Sequence, residues 1–247
     1  MRKLILPLIP FLILVAVAEF LVQNGYVASY ILPPPSAVFL SFVNDFSEYV
    51  SALQQTLGAA VLGLFWAGIA GVLVALLLAS SDSVEAAFYP YATFFQTVPI
   101  ISVAPLLVIW FGFGFRTVVI SSFIVSVFPV IANTTAGLKF TDPALVDLFR
   151  LYGASRRDLL FKLRLPGAVP QIFTGLKISA GLAMIGAVIG EFITGGGLGG
   201  VIDEAKTQQR LDKVFAAVLL ASFSGIILLF LLNVSSKILL KRWRELR

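Results

Sequence analysis

The sequence contains neither cysteine nor histidine among its 247 residues. Without cysteine the chain forms no disulfide and offers no thiol nucleophile, and without histidine it lacks the most frequent general base and the usual zinc ligand. A phosphate-binding loop of the type G-x-x-x-x-G-K-[S/T] is excluded as well, because no glycine in the chain is followed by lysine. We therefore expect no catalytic residue, no metal site and no cofactor, and any ATP hydrolysis linked to this protein must occur in another chain.

Charge is also scarce, since only 13% of the residues are charged while 59% are hydrophobic and the mean hydropathy is +0.98. Soluble globular proteins carry roughly twice this share of charged residues. The composition indicates an all-α polytopic membrane protein in which residues 1–247 form a single transmembrane domain. It leaves no room for a separate soluble domain.

Six apolar segments have the length of membrane spans. They cover residues 4–22, 57–79, 87–111, 117–136, 172–193 and 214–234. The first follows Arg2 and Lys3, is long, and has no small-x-small sequence directly before Gln23, so a retained span is favoured over a signal peptide. The third contains three prolines, which free carbonyl groups that neighbouring helices must satisfy, and this favours a place inside the bundle. In the fifth, Gly186 and Gly190 have the GxxxG spacing of close helix contacts.

Two further segments are predicted to lie at the outer surface. Tyr30–Val50 is amphipathic: Pro33–Pro35 exclude a helix interior, Ser36 is a candidate N-cap, and the helix that follows has a polar side. The glycine-rich string at residues 193–202 has the composition of a nucleotide-binding loop, but it follows an apolar helix and not a strand. A flexible connection between the last two spans is therefore favoured.

The longest polar interruption of the apolar chain is residues 139–168, which we call the polar loop. Asp142 and the proline after it form a helix-start signal, and Gly153 is a helix-end signal. Ser155, with an acid three residues later, predicts a second helix start, and Pro166 is expected to end that second helix. The polar loop is thus predicted to hold two short helices separated by a break.

The first of these helices has an apolar face. Its members follow the i, i+3, i+4, i+7 spacing and are Leu145, Leu148, Phe149 and Tyr152. A short amphipathic helix held between two membrane spans is a candidate docking surface for a soluble partner.

The polar loop resembles the cytoplasmic EAA loop of ABC-importer permeases, which has E-A-A, three residues, a glycine and an apolar-x-L-P ending. Asp147-Leu148-Phe149 stands in the place of E-A-A, Gly153-Ala154-Ser155 matches the G-A-S, and Leu163-Arg164-Leu165-Pro166 matches the ending. The string Leu32–Val38 also resembles the L-P-x-P-x-x-V segment of aliphatic sulfonate, taurine and nitrate permeases. Because bulkier groups replace both alanines, we expect a roomier groove on the partner.

This resemblance implies a type I ABC-importer permease bundle of six transmembrane helices, with the polar loop as its cytoplasmic coupling loop. The expected cargo is a small anionic solute of the sulfonate, taurine or nitrate type. The expected partners are a second permease copy in a homodimer, two copies of an ABC ATPase subunit, an extracytoplasmic solute-binding protein and the lipid bilayer of the bacterial inner membrane. By resemblance, ATPase docking is assigned to Asp147, Leu148, Phe149, Arg150, Tyr152, Gly153, Ala154, Ser155 and Arg156.

The basic residues favour an orientation with both termini in the cytoplasm, where 14 of the 18 Lys and Arg side chains would lie. The net charge of +5 therefore reflects topology, and nucleic-acid binding is a poor explanation of it. Lys177, near the inner end of the fifth predicted span, is expected to extend its side chain to the cytoplasm.

Polar residues at membrane depth are the candidates for a solute path. They are Gln96, Thr97, Asn133, Thr134 and Glu191. Hydrogen bonds between helices explain the first four equally well. Glu191 stands before a Gly-Leu-Gly string, and it either takes part in transport or has a structural role, at headgroup level or as the cap of a nearby loop. Three alternative functions stay open: an ABC permease for a vitamin precursor, an ion-coupled secondary transporter with Glu191 as its relay, and a membrane scaffold without transport.

Overall fold

The computed structural model describes residue 6 and residues 8–245. All regular secondary structure in this part of the chain is helical, which confirms the predicted all-α class. The helices are α1 (Leu8–Gln23), α2 (Pro35–Asn44), α3 (Phe46–Leu78), α4 (Asp82–Thr97), α5 (Ile100–Phe111), α6 (Phe115–Lys139), α7 (Pro143–Leu151), α8 (Arg156–Asp158), α9 (Leu165–Thr194), α10 (Gly197–Thr207) and α11 (Leu211–Glu245). A π-helical turn, Leu159–Arg164, joins α8 to α9 without a break.

Four stretches of helix are long and apolar enough to cross a membrane. They are Phe46–Leu78, Phe115–Lys139, Arg156–Thr194 and Leu211–Lys241. α4 and α5 form a fifth span only if a bend of 97° lies within it. The described part of α1 has 16 residues, and residues 4, 5 and 7 of the predicted first span lie outside the described residues, as do Arg2 and Lys3. The count of six spans therefore stays a prediction.

The core of the bundle forms where α6, α9 and α3 pack against one another at small residues. A Cβ atom at Gly186 would lie 2.8 Å from the Ser122 Cα atom, and one at Gly190 would lie 3.0 Å from the Val118 Cα atom. The hydroxyl of Ser122 donates to the carbonyl oxygen of Ala183 (2.9 Å), so α6 and α9 are also joined by hydrogen bonds. The close contact predicted from the GxxxG spacing is confirmed.

The segment Tyr30–Val50 is less exposed than its sequence predicts. It divides into α2 and the first turns of α3, and Tyr49 is fully buried with its hydroxyl 3.0 Å from that of Ser41. Ser36 does not cap α2: its N–H and hydroxyl donate to the Glu19 carboxylate at 2.9 and 2.6 Å. This pair ties α2 to the C-terminal end of α1. The second span therefore begins at Phe46, eleven residues before the predicted start.

The third predicted span, 87–111, is not a straight helix. Val98 takes an extended conformation because a residue before proline is disfavoured in the helical region, and Pro99 then opens α5. None of the residues of α4 is buried in a single copy of the chain, whereas α5 buries Ala104 and Leu107. The expected interior position therefore holds in one copy only for part of α5.

Candidate docking loop and translocation path

The polar loop begins with α7, which is capped at both ends. The Asp142 carboxylate accepts a hydrogen bond from the N–H of Ala144 (2.9 Å), and Pro143 occupies the first helical position. At the other end Gly153 has φ +74°, and its N–H donates to the Arg150 carbonyl at 2.9 Å. The next N–H, that of Ala154, donates to the Phe149 carbonyl at 3.0 Å, which completes a Schellman motif. Both predicted ends of the first loop helix are confirmed.

The second helix starts at Ser155, as predicted. The Ser155 hydroxyl accepts from the N–H of Asp158, and the Asp158 carboxylate accepts from the N–H of Ser155, both at 3.2 Å. Pro166 does not end this helix, because the chain continues as one helix from Arg156 to Thr194. The proline lies in the first turn of α9, directly after the π turn, where the Leu165 N–H bonds to the Leu160 carbonyl. The wider π turn accommodates a residue that lacks an N–H group and whose ring crowds the preceding turn.

One face of α7 is anchored to the rest of the polar loop. Val146 is buried against Leu159 and Leu163 of the π turn, and Phe149 packs against the same cluster. Phe149 therefore contributes more to the attachment of α7 than to an exposed surface. This anchoring fixes the direction in which the remaining face of α7 points.

The outward face of α7 is apolar and exposed. Leu148 is 46% exposed, Leu151 84% and Tyr152 85%. Beside it lies a cleft of about 410 Å³, lined by Leu148, Phe149, Tyr152, Gly153, Ala154, Asp158 and Lys162. Sequence reasoning missed Leu151, although it lies three residues after Leu148 and hence on a neighbouring position of the same helix surface.

The charged members of the predicted docking set surround this surface. Asp147 and Arg150 are both exposed and face each other at 3.7 Å. Arg156 is exposed at the start of α8, while the Ser155 side chain is occupied by the capping contacts. The polar loop therefore presents a small apolar knob with charged flanks.

The structure does not bring the candidate path residues together. Gln96 and Thr97 are exposed at the end of α4, beside the bend. The Asn133 side chain donates to the Pro129 carbonyl within its own helix (2.8 Å), and the buried Thr134 hydroxyl has no hydrogen-bond partner among the described residues. Asn133 lies beside Gly175 of α9, sixteen residues from Glu191, or about 24 Å along the helix.

Glu191 caps the Gly-Leu-Gly string, one of the two roles that the sequence left open. Its side chain is 2% exposed, and one carboxylate oxygen accepts hydrogen bonds from the Gly199 N–H and the Thr56 hydroxyl, each at 2.9 Å. The Thr56 oxygen in turn accepts from the Leu198 N–H at 2.9 Å. Gln55 accepts from the Gly197 N–H at 3.1 Å. Three side chains from α3 and α9 thus satisfy the first amides of α10.

The predicted flexible connection is therefore wrong. Gly197 and Gly199 are buried, and a Cβ atom on Gly197 would overlap the Glu191 carboxylate. Gly195 and Gly196 have φ values of +74° and +82°, which turn the chain sharply between α9 and α10. The glycines serve this turn and the close approach of α10 to a buried carboxylate. That function depends on contacts with α3, about 140 residues earlier in the chain.

Charged pairs gather at the same end of the bundle. The Lys213 ammonium contacts the Glu48 carboxylate at 2.7 Å, and Arg210 lies 2.9 Å from Asp212. The hydrogen bond to Asp212 raises the pKa of the Arg210 guanidinium, so this residue stays charged. An open cleft of about 590 Å³ lies nearby, with acidic side chains and the turn at residues 194–197 on its walls. Among the described residues, no group of three or more acidic side chains is arranged to hold a metal ion.

A protein-family comparison connects this architecture with a known class. The model for the binding-protein-dependent transport system inner membrane component matches residues 67–245. The chain belongs to this family. It is a permease subunit of an ABC transport system and a multi-pass membrane protein, as the resemblance implied.

Individual relatives of known name agree with this family assignment. The chain is 35% identical over 219 residues to the formylaminopyrimidine transport permease protein ThiX of Halalkalibacterium halodurans, covering 87% of each chain. It is 30% identical over 219 residues to the taurine transport permease TauC of Escherichia coli, covering 85% of this chain and 78% of TauC. It is 30% identical over 184 residues to the nitrate import permease NrtB of Leptolyngbya laminosa, covering 74% of this chain and 64% of NrtB. The resemblance to the taurine and nitrate group is confirmed.

A solved structure supports the fold. The inward-facing MetNI methionine ABC transporter superposes with a TM-score of 0.69, covering 80% of this chain and 97% of that chain at 16% identity. The helical bundle of this chain is thus the fold of an ABC-importer permease.

Proposed function

We propose that two copies of this chain pair about a two-fold axis to form the translocation path of an ABC importer, and that each copy docks one ATPase subunit through the polar loop. The exposed apolar face of α7, with Leu148, Leu151 and Tyr152, is the observation that carries this proposal. A monomer that exposes such a face beside a cleft gains stability by covering it, and exposed apolar patches mark interaction sites. ATP hydrolysis takes place in the partner, because this chain has no Gly-Lys pair for a phosphate loop.

The proposed topology has six spans, with α1 and the bent pair α4–α5 as the first and third. Both termini and the polar loop lie in the cytoplasm, where most basic residues are found. An ion pair between Lys139 and Glu85 supports this arrangement, because it joins the end of α6 to the start of α4 on the side of the polar loop. α10 and the acidic cleft then lie outside, where a solute-binding protein delivers the cargo.

The proposed cargo is a small anionic solute, as for the taurine and nitrate relatives. A pyrimidine precursor of a vitamin is the second candidate, because the identity to the formylaminopyrimidine permease is 35%. Nothing favours an ion-coupled transporter, since the Glu191 carboxylate that would serve as its relay is engaged in holding α10.

The test uses the positive φ of Gly153. A Cβ atom at Gly153 would meet no atom within 4 Å, so a side chain there is unfavourable only through the backbone, by about 1–2 kcal/mol. We expect Gly153→Val to disrupt the end of α7, to abolish co-purification of the cognate ATPase and to stop uptake, while the protein still inserts into the membrane. Leu151→Asp, which keeps the backbone and places a charge on the exposed face, should have the same effect on co-purification.

Gly167→Val is the matched control, because Gly167 has equal free space but no positive φ. Gly153→Asn should keep ATPase binding, since Asn tolerates the left-handed conformation. A normally inserted Gly153→Val protein that binds its ATPase and transports at the wild-type rate would show that the polar loop is only a connector.

A further inference from the structure

The cleft of about 590 Å³ beside α10 is lined by four acidic side chains and by no basic one. The four are Glu48, Glu191, Asp203 and Glu204. Lys213 compensates Glu48 at 2.7 Å, but the other three carboxylates form no ion pair with any residue that the structure describes. Asp203 and Glu204 are exposed on α10, so they give the cleft a negatively charged rim.

Glu191 adds a carboxylate oxygen without a partner. Its Oε2 atom accepts the two hydrogen bonds that hold α10, whereas Oε1 accepts none from a described residue. A Cβ atom at Gly197 would overlap Oε1, so this glycine leaves the oxygen uncovered. Oε1 is not fully enclosed, because the enclosed polar side-chain atoms without a partner in the described part of the chain belong to Thr134, Thr135 and Arg164. It therefore faces the cleft that Glu191 lines.

A buried carboxylate without a cation indicates a missing partner. Charges removed from water are normally paired, because an isolated ion in a site of low dielectric constant is unfavourable. Glu191 is 2% exposed, and its polar partners among the described residues are one N–H group and one hydroxyl, both neutral. The free oxygen and the charged rim of α10 belong to the same cleft, so both features favour a cationic occupant.

The walls of the cleft fit a long basic side chain. Ala52, Phe192 and Val201 provide apolar surface beside the acids. Lysine and arginine have an apolar stem and a charged head, so the stem can lie along these residues while the head reaches Glu191. The volume of the cleft is within the range of ligand pockets, which is about 300–1,000 Å³.

Two other occupants fit less well. A metal ion needs several ligands, and no group of three acids in the described part of the chain is arranged to hold one. A small anionic solute would be repelled by the rim. Exposed rim charges instead steer the association of a protein whose surface carries the opposite charge. The family to which the chain belongs depends on a binding protein, and this protein is the partner that meets the outer face.

We propose that the acidic cleft receives a lysine or arginine side chain of the solute-binding protein. The basic group contacts Oε1 of Glu191, and Asp203 and Glu204 attract it from the rim. This inference rests on the proposed function, since it names the docking site of the binding protein and requires α10 to lie outside.

Binding kinetics test the charge of the rim. The complex of this chain with its ATPase is placed in lipid nanodiscs, and association of the purified binding protein of the same transport system is followed at several salt concentrations. The double variant Asp203→Asn with Glu204→Gln should lower the association rate at low salt about tenfold and weaken its salt dependence. Asp212→Asn is the matched control, because it removes an equal charge at the same end of the bundle, outside the cleft. It should change the association rate less than twofold.

The absence of cysteine from the chain allows a second measurement that locates the contact. Ser51→Cys places a thiol in the cleft, and Ser29→Cys places one in the exposed connection between α1 and α2. A membrane-impermeant maleimide added to right-side-out vesicles should label both. Bound binding protein should slow the labelling of Ser51→Cys at least tenfold, and the double rim variant should abolish this protection at the same protein concentration.

The possible failures are distinguishable. If neither cysteine is labelled from outside, the proposed topology is wrong and the docking site is lost with it. If the binding protein stimulates the ATPase but leaves Ser51→Cys unprotected, or associates with the double rim variant as fast as with Asp212→Asn, the transport function stands and this inference is overturned. If Ser51→Cys is unreactive without the binding protein while Ser29→Cys reacts, a second copy of the chain covers the cleft, and the inference is overturned as well.

Discussion

Replacing Glu191 tests whether its carboxylate holds α10 in place. In Glu191→Ala the Gly199 N–H loses a hydrogen bond of 2.9 Å in a site where Glu191 is only 2% exposed. A buried N–H left without an acceptor costs about 1–3 kcal/mol. The Thr56 hydroxyl loses less, because the Ala52 carbonyl lies 3.1 Å away as an alternative acceptor. When the cost of the cavity left by the removed side chain is added to the cost of the lost hydrogen bond, we expect α10 to be destabilised by about 3 kcal/mol.

Hydrogen exchange measures this effect locally. A change of about 3 kcal/mol in the free energy of opening corresponds to about a hundredfold faster exchange of the α10 amides. Peptides from the part of the α6–α9 interface around Gly175 should exchange at the wild-type rate, because Gly175 lies sixteen residues, or about 24 Å, from Glu191 along α9. The measurement is made by mass spectrometry on the protein in lipid nanodiscs. Glu191→Gln should give an intermediate value, since its amide oxygen still accepts a hydrogen bond while its NH₂ group only donates.

Glu204→Ala is the matched control, because it also removes an acidic side chain but at a position that does not contact the first amides of α10. Glu204 is an exposed acid of the same helix, and its carboxylate accepts only from the side chain of Gln208 within α10. It should leave the exchange of the first amides of α10 unchanged. If Glu191→Ala leaves that exchange unchanged as well, the carboxylate does not anchor α10 and the reasoning from its hydrogen bonds is wrong.

Two further predictions concern packing and topology. Gly186→Ala should lower the melting temperature of the purified protein, because its Cβ atom would lie 2.8 Å from the Ser122 Cα atom and overpacking costs about 1–3 kcal/mol. Gly181→Ala, whose Cβ atom has free space, should leave the melting temperature unchanged. Equal melting temperatures for the two variants would contradict the close α6–α9 contact. An accessible tag placed after Arg247, a residue outside the described part, should be protected from external labelling in intact cells and exposed after lysis. Labelling from outside would refute the proposed six spans.

The ends of the loop helices were predictable because their causes are local. The Asp142 cap acts two residues away, the Gly153 turn bonds back three residues, and the Ser155 capping box spans three. Each motif is determined by residue types at fixed short spacing. These few side chains therefore determine the local backbone conformation largely independently of the tertiary contacts.

The errors have long-range causes. Glu191 and Thr56 are 135 residues apart in the sequence. The glycine-rich composition between α9 and α10 predicts a flexible segment, but the N–H groups of Leu198 and Gly199 donate hydrogen bonds to these two side chains and fix its conformation. Pro166 usually ends a helix, but here the π turn and the packing of Leu159 and Leu163 against Val146 carry the helix past it. Neither outcome follows from residue spacing alone, because each depends on contacts with other elements.

These long-range contacts make the helix from Arg156 to Thr194 a mechanical connection. The helix has 39 residues, and its part from the anchor of α7 at Leu159 to Glu191 beneath α10 spans 32 residues, or about 48 Å. Its middle is held against α6 by glycine contacts and serine hydrogen bonds, so it moves with that helix and not alone. The π turn is packed as well, because its Leu160 lies against the buried cluster of Ala75, Leu138 and Ala168 on α3, α6 and α9. A force applied to α7 is thus expected to turn α9 and α6 together and to displace α10, which opens or closes the acidic cleft at the opposite end of the bundle.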